Sequence, residues 1–327
     1  MKSKNKTIIM NLVGGLGNQL FIYFAGQALA KTLNCKVAYH QTKITRPFNQ
    51  INSDIRVFDF KLDEYTSMNK TLWVRIRSWF PSILKNTIKK VFSYSVSNSL
   101  SLGTIMISTY DEKKLGPYAE IAEIKKALTK KSKLFISGYF QDFLYYDLLN
   151  ENRNLTLRHP SSWYLATEKK IIERAPIIVH MRLGDYLQYC GSIGVLSQNY
   201  WGTTIEKVSK KFPDKEVWIF SDDFKLARLL TSHLGGMNLM YMQDSEGSDP
   251  GEIMKIISLG EVLVLSNSTF SAWSAKFSKL AQEVYVPDPF FESLPNGRLI
   301  SSDHWIRIPS QFMKHEEIEF FSEMEKP

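Results

Sequence analysis

His180 and Arg182 stand two residues apart at the end of the apolar run Ile177-Ile178-Val179, just before Gly184-Asp185. On an extended backbone alternate residues share one side, so an imidazole and a guanidinium fork would point together into any cleft beyond the strand. That pair suits a nucleotide pyrophosphate, because the guanidinium is planar, matches two oxygens at once and keeps its charge. The same residues also fit a plain strand end with a satisfied histidine and a surface arginine, and alone they do not choose between the two.

Two further strand ends carry polar clusters. Phe220-Ser221-Asp222-Asp223 offers carboxylates that could accept from a base or ribose edge, although Ser-Asp-Asp before a helix is also an ordinary cap. Leu265-Ser266-Asn267-Ser268-Thr269-Phe270-Ser271 places four hydroxyls and an amide at a strand-to-helix junction, more than capping requires. Hydroxyls and free N–H groups at a helix start are what a phosphate needs. Near the amino end, Gly14-Gly15-Leu16-Gly17-Asn18-Gln19 joins an apolar strand to a helix. Glycines there let a ligand approach the backbone, while Asn18 and Gln19 either bind a sugar hydroxyl or cap the helix. A dinucleotide fingerprint would need a third glycine where Leu20 stands and an acid about 20 residues on, and Lys36 to Lys43 holds none. Adjacent Asp222-Asp223 is not the Asp-x-Asp of metal-dependent nucleotide-sugar enzymes, and the pattern occurs nowhere else. No metal is expected, and Arg182 becomes the candidate to balance leaving-group charge.

These residues need strands and helices to hold them. Thr7 to Val13 reads as a strand and Leu20 to Leu33 as a helix, the opening of a Rossmann-like unit. After a short strand at Leu134 to Ser137, Pro160 and a helix from Ser161 or Ser162 mark a boundary, giving domains 1–158 and 159–327. The second half alternates: strand 177–181, helix 200–211, strand 217–220, helix 224–233, strand 239–242, a helix after Pro250 capped by Asp249, strand 262–265, helix 269–280 and strand 284–286. That rhythm means an α/β fold with a parallel sheet. Pro309 to Lys326 reads as a closing acidic helix.

The 327 residues are 44% hydrophobic, enough for a sizeable core, and no run reaches the ~20 apolar residues of a membrane span. Cys35 and Cys190 read as free thiols, and the six histidines show no ligand spacing. The amino end is too short and polar for a signal peptide, so a cytoplasmic protein is expected. A net charge of +8 points to an anionic partner, yet no nucleic-acid motif is present and none is expected to bind. Residues 65–110 lack any acid and mix Lys and Arg with Trp and Phe. Such a stretch lies on anionic lipid, as a peripheral contact at the inner face of a cell membrane, or forms packed helices with a solvated basic side; Pro81 favours the second.

Taken together, Gly14 to Gln19, His180-Met-Arg-Leu-Gly-Asp-Tyr186, Ser221-Asp-Asp223 and Ser266-Asn-Ser-Thr-Phe-Ser271 with Trp273 resemble the α-1,2-fucosyltransferases of glycosyltransferase family 11, in particular bacterial members that build surface polysaccharides. Ala272 departs from the tryptophan usual there. The resemblance implies a GT-B-like α/β fold of two facing Rossmann-like domains with a closing carboxyl-terminal helix. It implies metal-free, inverting transfer of fucose from GDP-L-fucose, with no cofactor, to O2 of a terminal galactose in a glycan acceptor, lipid-linked or free. Residues 1–158 would address the acceptor through Asn18 and Gln19, and 159–327 would hold the donor. Arg182 and the helix start with Asn267, Ser268, Thr269 and Ser271 would stabilise charge on the β-phosphate. His180 would fix the nucleotide or a phosphate oxygen, and Asp222 or Asp223 the guanine or ribose. Asp185 is either a general base or the salt-bridge partner of Arg182. Rival readings are another GDP-sugar transferase, a fucosyltransferase of different linkage, a non-catalytic nucleotide-sugar module, and an NAD-linked enzyme.

Overall fold

The computed structural model describes residues 6–41, 55–63, 102–106, 117–150, 155–189, 193–245, 247–294 and 300–324. They form two compact α/β units, and the division is not a single cut in the chain. Residues 15–17 and 55–60 group with the carboxyl-terminal unit, where the Arg158 guanidinium donates to the carbonyls of Phe58 and Phe60. Most of the basic aromatic stretch 65–110 and Cys190 lie outside the described residues. Among the described residues no helix is long and apolar enough to cross a membrane.

The first unit holds β1 (Thr7–Leu12), most of α1 (Leu16–Leu33), β2 (Lys36–Gln41), β3 (Leu102–Met106), α2 (Pro117–Lys130), β4 (Lys133–Ser137) and the short α3 (Leu144–Asp147). Its strands are parallel in the order β2-β1-β4-β3. Helix α1 starts at Leu16, not Leu20, so only Gly14 and Gly15 form the turn, with Gly14 at φ +80°. The helix is apolar on most sides because it is buried on most sides: Leu20, Phe21, Ile22, Tyr23, Phe24 and Ala25 are all at most 1% exposed.

The second unit runs α4 (Ser162–Arg174), β5 (Ile177–Met181), α5 (Gln198–Lys211), β6 (Val217–Ser221), α6 (Phe224–Thr231), β7 (Leu239–Tyr241), α7 (Pro250–Ile257), β8 (Val262–Val264), α8 (Thr269–Lys276), β9 (Glu283–Asp288), β10 (Ile306–Pro309) and α9 (His315–Met324). Its six strands are all parallel, in the order β10-β9-β8-β5-β6-β7. The chain enters at β5, builds outward through β6 and β7, then returns to the other side of β5 with β8. The sheet therefore reverses direction of growth between β5 and β8, and ligands of open α/β sheets bind at the carboxyl edge of such a reversal. Every residue of β5 is buried, as an unbroken β-branched run covered on both faces requires.

Capping residues set the helix starts. Ser161, Ser197, Asp223, Asp249 and Ser268 each accept from a backbone N–H in the first turn of the helix that follows. Three edge strands, β2, β3 and β10, are absent from the sequence reading, and the closing helix begins at His315, after β10 has taken Ile306–Pro309. An edge strand contacts the core on fewer sides, so its sequence carries a weaker apolar signature and hydrogen bonding to its neighbour decides it.

Candidate active site

The carboxyl ends of β6, β5 and β8 carry one continuous polar array. Arg182, just past β5, reaches Asp222 just past β6 at 3.0 Å and Asp185 in its own loop at 2.8 Å. Asp222 is anchored from a second side, accepting the Leu183 N–H at 2.8 Å. Gly184 leaves room for this: a Cβ there would lie 3.1 Å from the Asp222 carboxylate. Burial alone would weaken the charge on Arg182, but Asp222 and then Asp185 outweigh it and raise its pKa further. The guanidinium plane is thus fixed from two sides while the side chain remains 28% exposed.

His180, the last residue but one of β5, lies on the other flank. Its Nδ1 lies 2.5 Å from the Ser271 hydroxyl, which lies 2.9 Å from that of Ser266, and the imidazole stacks on Phe270 with centroids 5.2 Å apart. This contact crosses the β5–β8 reversal. Burial first, and the Arg182 charge second, lower the His180 pKa to about 3, so the ring is neutral. Tyr186 closes the array: its hydroxyl donates to the Asn267 carbonyl at 3.2 Å, its ring faces Arg182, and burial pushes its pKa up to about 12.

Within this unit the structure brings together His180, Arg182, Asp185, Asp222, Ser268, Thr269 and Ser271, but not all of them face a ligand. Asp223 caps α6 by accepting from Leu226 N–H at 2.9 Å. Asn267, 1% exposed, donates to the Ile193 and Gly194 carbonyls and so ties down a loop. Ser268 caps α8, and Ser271 is fully buried with its hydroxyl turned to His180 and Ser266. Thr269 is half-buried at the first position of the helix. Asp185 is paired with Arg182. In the first unit, Gln19 is turned inward and donates to the Gly14 carbonyl, whereas Asn18 accepts from Gln141 Nε2 at 2.9 Å. Cap, loop tie and ligand contact use the same short polar side chains, so sequence alone could not separate them. It also gave no role to Tyr186 or Phe270 and counted Ser266 among the hydroxyls offered to a phosphate, whereas Ser266 is fully buried against Ser271. Among the described residues no group of three His, Cys, Asp or Glu side chains is placed to hold a metal ion.

A unit with a six-stranded parallel sheet and a polar edge at its reversal, and a second unit with a four-stranded parallel sheet, define a GT-B-like α/β protein. The sequence pattern described as Glycosyl transferase family 11 matches residues 7–292, and the chain belongs to that family and is a glycosyltransferase. It is similar to the O-antigen biosynthesis glycosyltransferase WbnK of Escherichia coli, 24% identical over 312 residues that span 91% of this chain and 99% of the relative. It is similar as well to an alpha-1,2-colitosyltransferase of Escherichia coli, 22% identical over 317 residues, 92% of this chain and 98% of the relative. Among solved structures, POFUT1 in complex with GDP-fucose shares the fold at a TM-score of 0.52, with 14% identity and coverage of 86% of this chain and 98% of that one.

Proposed function

We propose that this glycosyltransferase moves L-fucose from GDP-L-fucose to O2 of a terminal galactose, with inversion and without a metal ion. The observation that carries the reading is Arg182 held rigidly between Asp185 and Asp222 at the sheet reversal, close in the chain fold to the start of α8. The acceptor oxygen forms a bond to the anomeric carbon as the bond from that carbon to the diphosphate oxygen breaks. The electron pair of the broken bond goes to the β-phosphate. Arg182 and the free N–H groups at the start of α8 stabilise that growing charge in place of a cation. His180 supplies one neutral hydrogen-bonding group beside it. Asp222 keeps the arginine plane fixed, and the proton released by the acceptor hydroxyl passes to Asp185, which leaves its ion pair to take it, or directly to water. Asn18, with its amide at the mouth of the glycine turn, is the candidate acceptor contact.

GDP-fucose as donor is supported by the fold shared with a protein whose structure contains it. A second reading, a different GDP-linked sugar on the same scaffold, is favoured by the similarity to an alpha-1,2-colitosyltransferase. The acceptor proposed is a surface-polysaccharide or oligosaccharide chain, consistent with an O-antigen relative. A lipid-linked acceptor would suit a cytoplasmic protein with peripheral membrane contact through residues 65–110, and sedimentation with anionic liposomes at low salt tests that contact. The function itself is tested by incubating the chain with GDP-fucose and a panel of galactosides, reading the linkage by NMR. An α-1,2-fucosyl galactoside supports the proposal. Transfer only from another GDP-sugar selects the second reading, and binding of GDP with neither transfer nor donor hydrolysis indicates a non-catalytic module.

A further inference from the structure

We propose that Ser266 and Ser271 form a hydroxyl relay that fixes the neutral Nε2–H tautomer of His180, and so presents one N–H donor to an anionic oxygen of the diphosphate. This rests on the reading of the edge as a nucleotide-sugar site. Ser266 and Ser271 are both fully buried, and the chain Ser266 Oγ, Ser271 Oγ, His180 Nδ1 has spacings of 2.9 and 2.5 Å. Along these two short contacts the hydrogens can run in only two directions, and the longer 3.5 Å approach of Ser266 Oγ to Nδ1, if Ser266 donates across it, likewise requires a bare Nδ1. In one, Nδ1–H donates to Ser271 and Ser271 donates to Ser266, which leaves the Ser266 hydrogen with no acceptor among the described residues. In the other, Ser266 donates to Ser271, Ser271 donates to Nδ1, and the ring proton sits on Nε2. Only the second leaves no buried hydroxyl hydrogen unsatisfied, and buried polar groups are almost always satisfied.

The ring is 6% exposed, and no described residue hydrogen-bonds Nε2. The atom that carries the proton is therefore the one left for a ligand. An imidazolium is opposed by burial and by Arg182, so the donor is a neutral one across the ordinary pH range. Stacking on Phe270, at the second position of α8, holds the ring beside the helix start that would meet the same phosphate. Ser266 and Ser271 are positioning residues in this scheme, acting through His180 and not touching the ligand.

The test uses the full chain labelled with 15N-histidine, with two-bond 1H–15N correlations assigned by the loss of one ring in His180→Gln. Expected for the ligand-free protein is a bare Nδ1 and a protonated Nε2 at pH 6 to 8. The pair Ser266→Ala with Ser271→Ala should release that pattern into a mixture of tautomers and weaken GDP binding by about tenfold, as loss of one oriented bond to a charged group implies. Ser266→Ala alone, which leaves Ser271 in place, should shift Nδ1 in the same direction by a smaller amount and guards against a double variant that does not fold. A protonated Nδ1 or an imidazolium in the parent chain overturns the relay, as does an unchanged ring pattern in a folded double variant. Released tautomers with unchanged GDP affinity overturn the ligand-directed half of the inference. A parent chain with the expected ring pattern that binds no GDP overturns the nucleotide-sugar reading and leaves the tautomer lock standing.

Discussion

Asp222 holds Arg182 and the backbone of Leu183 with its two oxygens, 3.0 Å to the guanidinium and 2.8 Å to the N–H. One carboxylate just past β6 thus fixes both the charge and the loop that follows β5. This arrangement makes the arginine a preorganised group, which costs no reorganisation when charge develops beside it.

Arg182→Lys is expected to lose roughly a hundredfold or more in kcat with GDP-fucose, since an ammonium cannot serve Asp185, Asp222 and a phosphate in one plane. Steady-state kinetics on a folded variant would show this. Near-parental turnover would remove Arg182 from the charge-stabilising role.

Asp222→Ala should destabilise the chain by about 1–3 kcal/mol, because it orphans the buried Leu183 N–H as well as the arginine. Asp222→Asn keeps an acceptor for that N–H and should cost less stability, yet still lower kcat by roughly tenfold or more through a misplaced Arg182. Urea unfolding beside kinetics separates the two effects. Equal stability losses in both variants would contradict the double anchoring.

The pH dependence of stability should carry the mark of His180. Its folded pKa of about 3 lies below the unfolded value of ~6.5, so the unfolded chain binds the extra proton first and stability falls as pH drops from ~6.5 toward ~3. The contribution is fully present above ~6.5, and its slope within the window approaches ~1.4 kcal/mol per pH unit for one proton. His180→Gln should flatten the decline over that range in denaturant titrations, whereas parallel curves would show that the ring titrates normally.

Transfer activity is expected to persist in excess EDTA, because Arg182 and the α8 start are proposed to supply the charge that a cation would otherwise provide. Loss of activity on chelation, restored by Mn²⁺, would refute this part of the mechanism.

Glu252 is 4% exposed on α7 and accepts from both the N–H and the hydroxyl of Ser161, at 2.6 and 2.7 Å, where Ser161 caps α4. Glu252→Ala should cost about 2–3 kcal/mol of stability by leaving both donors without their charged acceptor. GDP affinity should stay at the parental value, since the pair belongs to the helix layer. A stability change below a few tenths of a kcal/mol would mean that the cap holds without it.

The amino-acid sequence by itself determined the alternating α/β order, the strands β5, β6 and β8, and the three polar clusters at their ends. Buried parallel strands are unbroken β-branched runs, and polar side chains between such a run and a helix have few other places to be. It did not reveal edge strands β2, β3 and β10, whose identity depends on a neighbour supplying hydrogen bonds. It also could not assign Asp223 to a cap, Asn267 to a loop tie, Gln19 to its own turn or Ser271 to the core, since each of these bonds forms over the same short reach as a ligand contact. Only the tertiary structure decided that β8 returns beside β5. That pairing sets His180 against Ser271, 91 residues away in sequence, while the pairing of β5 with β6 sets Arg182 against Asp222, and together they turn three separate strand ends into one site.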